Sequence, residues 1–164
     1  MEPKKAVHPG SFDPITNGHL DIVHRGLCVF DKVIIAIGHN PLKNDLFTTE
    51  EKLAMIRESV GDNPRIEVDS FEGLLVDYVQ KVDACGILRG LRVISDFEME
   101  LQLALMNRRL YDEVETFFLM TDFNNLFVSS TIIKTTAAAG GSVEGLVPEA
   151  VLIKLKEKFP HMKV

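Results

Sequence analysis

The chain has 164 residues, 46% of them hydrophobic and 26% charged, with a formal net charge of −6. That length suits one domain able to bury roughly 70% of its unfolded surface, and the acidic balance argues against a general nucleic-acid binder, which carries a basic surplus. No apolar run approaches the ~20 residues of a membrane helix.

The start, Met1-Glu2-Pro3-Lys4-Lys5, opens no signal-peptide core, so the expected location is cytoplasmic, with no membrane partner. Lys4–His8 then reads as a short strand ending at Pro9-Gly10, and Asn17–Phe30 as a helix with Leu20, Val23, Leu27 and Phe30 on one stripe. Val33–Ile37 is an unbroken branched run, suited to a parallel strand covered on both faces. Thr48 with Glu51 forms a capping-box pattern before a helix reaching about Val60. Arg65–Phe71 is a strand, Leu74–Val82 a helix, and Cys85–Leu88 a strand ending in Arg89-Gly90. A helix over Ile94–Leu110 follows, with Phe97, Leu101 and Leu105 read as core, and Val114–Met120 is the fifth strand. Ser129–Ala139 is a helix begun by hydroxyls, and the last opens at Pro148 and runs to about Phe159. Cys28 and Cys85 have no CxxC spacing and no His cluster, so both read as reduced core thiols.

Five strands separated by helices predict a Rossmann-like, doubly wound parallel α/β sheet in a single domain spanning 1–164, the C-terminal helix packing on it. Such sheets bind ligands beyond the carboxyl ends of their strands. The chemistry is therefore expected in residues 9–19, 38–47, 71–75, 89–92 and 121–131. The chain has no GxxxxGK[ST] loop and no GxGxxG turn. After the first strand it carries Pro9-Gly10-Ser11-Phe12-Asp13-Pro14-Ile15-Thr16-Asn17-Gly18-His19. Gly10 and Gly18 let backbone approach a ligand, and Asn17 reads as a helix N-cap that puts His19 in the first turn, where free amides and an imidazole meet an anion. On the helix over 94–110, Glu98 and Glu100 diverge, whereas Asp96, Glu100, Leu103 and Asn107 share one face.

That eleven-residue string resembles the signature of the phosphopantetheine adenylyltransferases, a family of nucleotidyltransferases with a [TH]xGH motif. Asn40-Pro41-Leu42-Lys43, Leu88-Arg89-Gly90-Leu91-Arg92, Asp96-Phe97-Glu98-Met99-Glu100, Met106-Asn107-Arg108 and Val128-Ser129-Ser130-Thr131 match the family in order and spacing. The resemblance implies transfer of the adenylyl group of ATP to 4′-phosphopantetheine, giving dephospho-coenzyme A and pyrophosphate. It places His19 at the reacting phosphates as transition-state stabiliser, with Lys43 and Arg92 beside it. It assigns ATP to Ser11, Phe12, His19, Gly90, Leu91, Arg92, Glu100 and the stretch Asn125, Leu126, Phe127, Val128, Ser129, Ser130, Thr131. It assigns phosphopantetheine to Ser11, Lys43, Leu75, Arg89 and Asn107. Mg²⁺ is implied as the companion of ATP with no standing protein ligands, along with a homohexamer and feedback binding of coenzyme A. His8 departs from the family, which more often has Tyr or Phe there; with His24, His39 and His161 it reads as a surface or structural residue.

The chemistry fits those residue types. A phosphate monoester with a second pKa of about 6 is mostly a dianion at neutral pH and already a nucleophile. What opposes reaction is repulsion between anions and charge growing on the α-phosphate, so alignment and preorganised positive charge are needed rather than a base. Two rivals share much of this pattern. One is a related adenylyl- or cytidylyltransferase, for instance one acting on nicotinamide mononucleotide; the other is a nucleotide-sensing module without catalysis.

Overall fold

The structure, a computed structural model, describes residues 3–163 apart from Lys43 and Val93, and leaves out the side-chain surroundings of 94–96. Five strands, β1 (Lys5–Gly10), β2 (Lys32–Gly38), β3 (Ile66–Phe71), β4 (Gly86–Leu91) and β5 (Glu115–Met120), form one parallel sheet in the order β3-β2-β1-β4-β5. Six α-helices connect and flank them: α1 (Asn17–Gly26), α2 (Thr49–Val60), α3 (Leu75–Lys81), α4 (Ile94–Leu110), α5 (Ser130–Ala138) and α6 (Glu149–Lys158). This is the expected Rossmann-like architecture.

Strand alternation divides the core in two. Ala6, Val33, Ile35, Ile37 and Leu88 pack with Ile22 and Val23 of α1, Met55 and Ile56 of α2, Ile133 of α5, and Val151 and Leu155 of α6. On the opposite face Val7, Ile34, Ala36 and Ile87 pack with Tyr78 and Val79 of α3 and with Tyr111 beyond α4. The inner strands β1, β2 and β4 are largely buried because both their faces are covered, whereas the edge strands β3 and β5 alternate with exposed positions. The chain leaves β1 toward β2 on one side and returns to β4 on the other, so the C-terminal ends of β1 and β4 open a crevice at the reversal of strand order.

Several expectations need correcting. Helix α1 stops at Gly26, where an added Cβ would meet Leu88 Cδ2 at 2.4 Å; Leu27 and Phe30 reach the core from the turn that follows. The N-cap is Thr16, not Asn17, whose side-chain amide instead donates to the Gly145 carbonyl at 2.8 Å. Pro148 stands at the N-cap position, just before α6, with no side-chain capping bond. Cys28 and Cys85 are exposed, not core: Cys28 lies in the turn that follows α1 and Cys85 directly before β4. Phe97, Leu101 and Leu105 are also exposed, at 44%, 39% and 60%. Within one chain α4 lies along the sheet edge by only part of its circumference.

The loop after β1 is fastened by one buried carboxylate. Asp13, 2% exposed, accepts the backbone amides of Leu46 at 3.0 Å and Phe47 at 2.9 Å and pairs with Lys134 of α5. Burial alone would raise its pKa; Lys134 and the two amides outweigh that and hold it below the usual carboxylate value. Three segments distant in sequence thus share one charge. Asp13→Ala, which strands buried donors, is expected to cost about 3 kcal/mol in urea unfolding. The stabilisation is complete above the unfolded-state pKa of about 3.9 and is lost as pH falls through the lowered folded value. Wild-type protein should accordingly lose more stability than Asp13→Asn between about pH 5 and about pH 2.

Candidate active site

Beyond Gly10 the chain turns sharply. Phe12 takes φ +43°, the left-handed region that bulky residues avoid, and folds its ring back beneath Gly10. A Cβ on Gly10 would sit 2.8 Å from that ring, so glycine is required there by contact rather than by torsion. Gly18, at the start of α1, is less tightly held: a Cβ would come within 3.3 Å of Asn125, which would have to give by a few tenths of an ångström.

Thr16 and His19 close a reciprocal cap on α1. The Thr16 hydroxyl accepts the His19 amide, and the Thr16 amide donates to His19 Nδ1 at 3.0 Å. An Nδ1 that accepts carries no proton, so the neutral ring holds its hydrogen on Nε2. Burial, with His8, Arg92 and Arg89 adding repulsion, lowers the His19 pKa to about 3. His19 in the free protein is therefore a neutral donor of fixed tautomer, set where α1 directs its unpaired amides.

A cavity of about 540 Å³ opens over this turn. Ser11, Phe12 and His19 form one wall. Gly90, Arg92 and Glu100 form a second, and Asn125, Val128, Ser129, Ser130 and Thr131, at the start of α5, a third. Ser129 caps α5 by accepting the Ile132 amide, while the Ser130 hydroxyl donates to the Pro14 carbonyl at 2.8 Å and ties that helix to the first loop. Arg92 Nη1 donates to the Val128 carbonyl at 3.2 Å. Two helix N-termini, a guanidinium and an imidazole N–H face one volume, a set of donors suited to a chain of phosphates.

A second cavity, about 260 Å³, lies toward β2 and α4 and is lined by Phe71, Leu75, Leu103, Ala104, Asn107 and Thr116, among others. It is mostly apolar. Pro9, Gly10, Arg89 and Glu100 belong to both cavities and stand at their junction. There Arg89 donates through Nε to Glu100 Oε2 at 2.7 Å, pairs Nη2 with the other carboxylate oxygen, and donates through Nη1 to the Pro9 carbonyl at 2.7 Å.

The residues read from the sequence therefore gather, with exceptions. Leu91 is buried in β4, and neither Leu126 nor Phe127 lines the large cavity, Phe127 being 59% exposed. Lys43 lies outside the described residues. Sequence reasoning missed Met99 and Thr116, and it put His8 among structural residues although His8 lines the large cavity. Period-two alternation puts His8 on the same side of β1 as Gly10, a usable signal. Among the described residues no three His, Cys, Asp or Glu side chains stand close enough to hold a metal ion.

Comparison with known proteins agrees with this geometry. A family model described as cytidylyltransferase-like matches residues 7–136. A phosphopantetheine adenylyltransferase of Syntrophus aciditrophicus is 57% identical over 97% of this chain and 96% of its own length. Proteins of the same name from Carboxydothermus hydrogenoformans and Geotalea daltonii are 56% and 54% identical, over 94% and 97% of this chain and 95% and 99% of their own lengths. The motif order, the sheet with its crevice and full-length identity above one half converge: the chain belongs to the phosphopantetheine adenylyltransferase family of cytidylyltransferase-like proteins.

Proposed function

We propose that this protein transfers the adenylyl group of ATP to 4′-phosphopantetheine, releasing pyrophosphate and dephospho-coenzyme A, a step of coenzyme A biosynthesis. The observation that carries the reading is the pair of cavities meeting at Gly10 and Arg89, one ringed by phosphate donors and the other largely apolar. ATP occupies the larger, its phosphates between His19, Arg92 and the amides opening α1 and α5. Ser11, Phe12, Gly90, Glu100, Asn125 and residues 128–131 complete its walls, with Leu91, Leu126 and Phe127 supporting them from outside. The pantetheine arm lies in the smaller cavity against Leu75 and Asn107 and brings its phosphate to Ser11, Lys43 and Arg89.

An acceptor phosphate oxygen attacks the α-phosphorus in line as the bond to pyrophosphate breaks; no proton transfer and no covalent enzyme species are required. The Nε2–H of His19 meets the oxygens on which charge grows, and its fixed tautomer removes reorientation from the barrier. Mg²⁺ travels as part of the ATP substrate, held by phosphate oxygens and water. The wall donors are amides, hydroxyls and cations, which complement phosphate rather than a metal.

The exposed apolar belt of α4 and β5, including Phe97, Leu101, Leu105, Phe117 and Met120, is covered in this reading by further copies of a cytoplasmic homohexamer, which sedimentation would detect. Coenzyme A shares the pantetheine arm and would compete for the smaller cavity.

A screen of phosphate acceptors with MgATP, followed by pyrophosphate release, is expected to show turnover with 4′-phosphopantetheine. Turnover with nicotinamide mononucleotide alone, or ATP binding without any turnover, refutes the assignment. His19→Ala is expected to lower kcat about 10²- to 10³-fold, as for loss of one transition-state donor, with little change in the KM for ATP; near-normal turnover contradicts the role. Lys43→Ala and Asn107→Ala should raise the KM for the acceptor more than that for ATP, and equal rises in initial-rate measurements would count against the division of the two cavities.

A further inference from the structure

His8 has no part in the scheme above. It is 4% exposed, lies on β1 two residues before Gly10, and lines the larger cavity. Its Nδ1 stands 2.9 Å from the Leu88 carbonyl, a bond that only an N–H can make, so the neutral ring carries its hydrogen there. Nε2 is thereby a bare acceptor, and among the described residues it is a buried side-chain atom with no hydrogen-bond partner. Proteins rarely leave such an atom unsatisfied.

The charged and titratable surroundings come from three elements. Helix α1 presents His19, whose ring centre is 6.2 Å away; β4 presents Arg89, with Arg92 just beyond its end on the same cavity; α4 presents Glu100. From β2 the residue in register is the apolar Ile35, and Phe12 covers the ring from the first loop at 5.5 Å. Burial lowers the His8 pKa most; the Leu88 bond opposes it, Arg89 lowers it further and Glu100 raises it, leaving a value of about 4.

The two imidazoles are set in opposite senses. Protonating His19 requires Nδ1, which already accepts the Thr16 amide, so a second proton there removes that half of the reciprocal cap, leaving the Thr16 hydroxyl, 2.9 Å from Nδ1, as the remaining partner. Protonating His8 uses Nε2, which accepts nothing. A proton there breaks no bond and places a positive charge, in place of a lone pair, at the wall of the cavity.

We infer that His8 is a proton-linked positioning residue of the polyphosphate site: arrival of the triphosphate draws one proton from solvent onto Nε2, and the imidazolium helps to hold the phosphates beside His19. The proton returns to solvent when pyrophosphate leaves, so the cycle balances. This rests on the reading of the larger cavity as the ATP site. The size of the effect is adequate. At an effective dielectric of about 20, each uncompensated negative charge placed ~6 Å away raises an imidazole by about two pH units, so two such charges carry His8 past neutrality. The added affinity is then full only below the free-protein value of about 4 and is lost as pH rises through the bound-state pKa.

The test uses the full-length protein with inorganic tripolyphosphate as probe. Two-bond ¹H–¹⁵N spectra at about pH 6.5 read the protonation of each ring nitrogen, and calorimetry follows binding independently. The free protein is expected to show His8 with Nε2 bare. At saturation both His8 nitrogens carry hydrogen while His19 keeps only Nε2–H. In parallel, the ratio of wild-type to His8→Phe affinity for the probe should rise about a hundredfold between about pH 9 and about pH 6, for a bound-state value of about 8. The spectra need no variant and decide the matter should His8→Phe fail to fold. Tripolyphosphate bound with Nε2 still bare overturns the inference and leaves the ATP site standing. Failure of both tripolyphosphate and MgATP to bind overturns the two together.

Discussion

A phosphate site on an α/β sheet needs several backbone termini aimed at one volume, although each belongs to a different stretch of chain and each carries unpaired amides. Here the Asp13 carboxylate does the aligning. Its oxygens take the amides of Leu46 and Phe47 and the ammonium of Lys134, so the β1 loop, the loop before α2 and helix α5 are referred to one charge. The Ser130 hydroxyl on the Pro14 carbonyl and the Asn17 contacts to Gly145 and Leu146 add neutral ties around it. Because the Asp13 carboxylate is buried at 2% exposure, it has no water in place of these partners, and the arrangement is held more firmly than a surface pair would hold it.

From that fastening the electrostatics follow. The chain is acidic overall, at −6, yet the crevice gathers Arg89, Arg92 and the starts of α1 and α5. A cluster of that kind repels itself, and Glu100 offsets it by gripping Arg89 through both carboxylate oxygens. The grip sets the guanidinium at the junction of the cavities while another of its nitrogens holds the Pro9 carbonyl. Neutral His19 adds a donor without adding charge. The site is thus strongly donating but only moderately positive before any ligand arrives.

Much of this was legible in the sequence, and the reasons are local. Strands announced themselves as branched runs, and the string from Pro9 to His19 carried turn and cap residues whose roles depend on near neighbours. Where reading failed, the deciding contact was remote. Thr16 and Asn17 are both capping residues, and the choice between them turns on Gly145, 128 residues from Asn17. Lys134 lies 121 residues from Asp13, so neither composition nor periodicity could pair them. The stripe of Phe97, Leu101 and Leu105 has core chemistry, yet the fold leaves all three exposed. His8 is the instructive case, since alternation along β1 pointed it to the crevice, while the absence of partner spacing argued for a bland role.

The reversal of strand order between β1 and β4 explains why the two cavities meet at one strand end rather than lying apart. Since β1 is central, the last residue of its strand, Gly10, borders both cavities. Any side chain there would strike the Phe12 ring, which itself occupies a strained backbone conformation to keep the floor closed. Under the proposed assignment of ATP and phosphopantetheine to the two cavities, the bare backbone would let two phosphate groups approach from opposite sides, with Arg89 on the adjacent strand as the cation bordering both. Width of separation and charge are therefore fixed by neighbouring strands of one rigid sheet, which is a firmer way to align two phosphates than a pair of mobile loops would be.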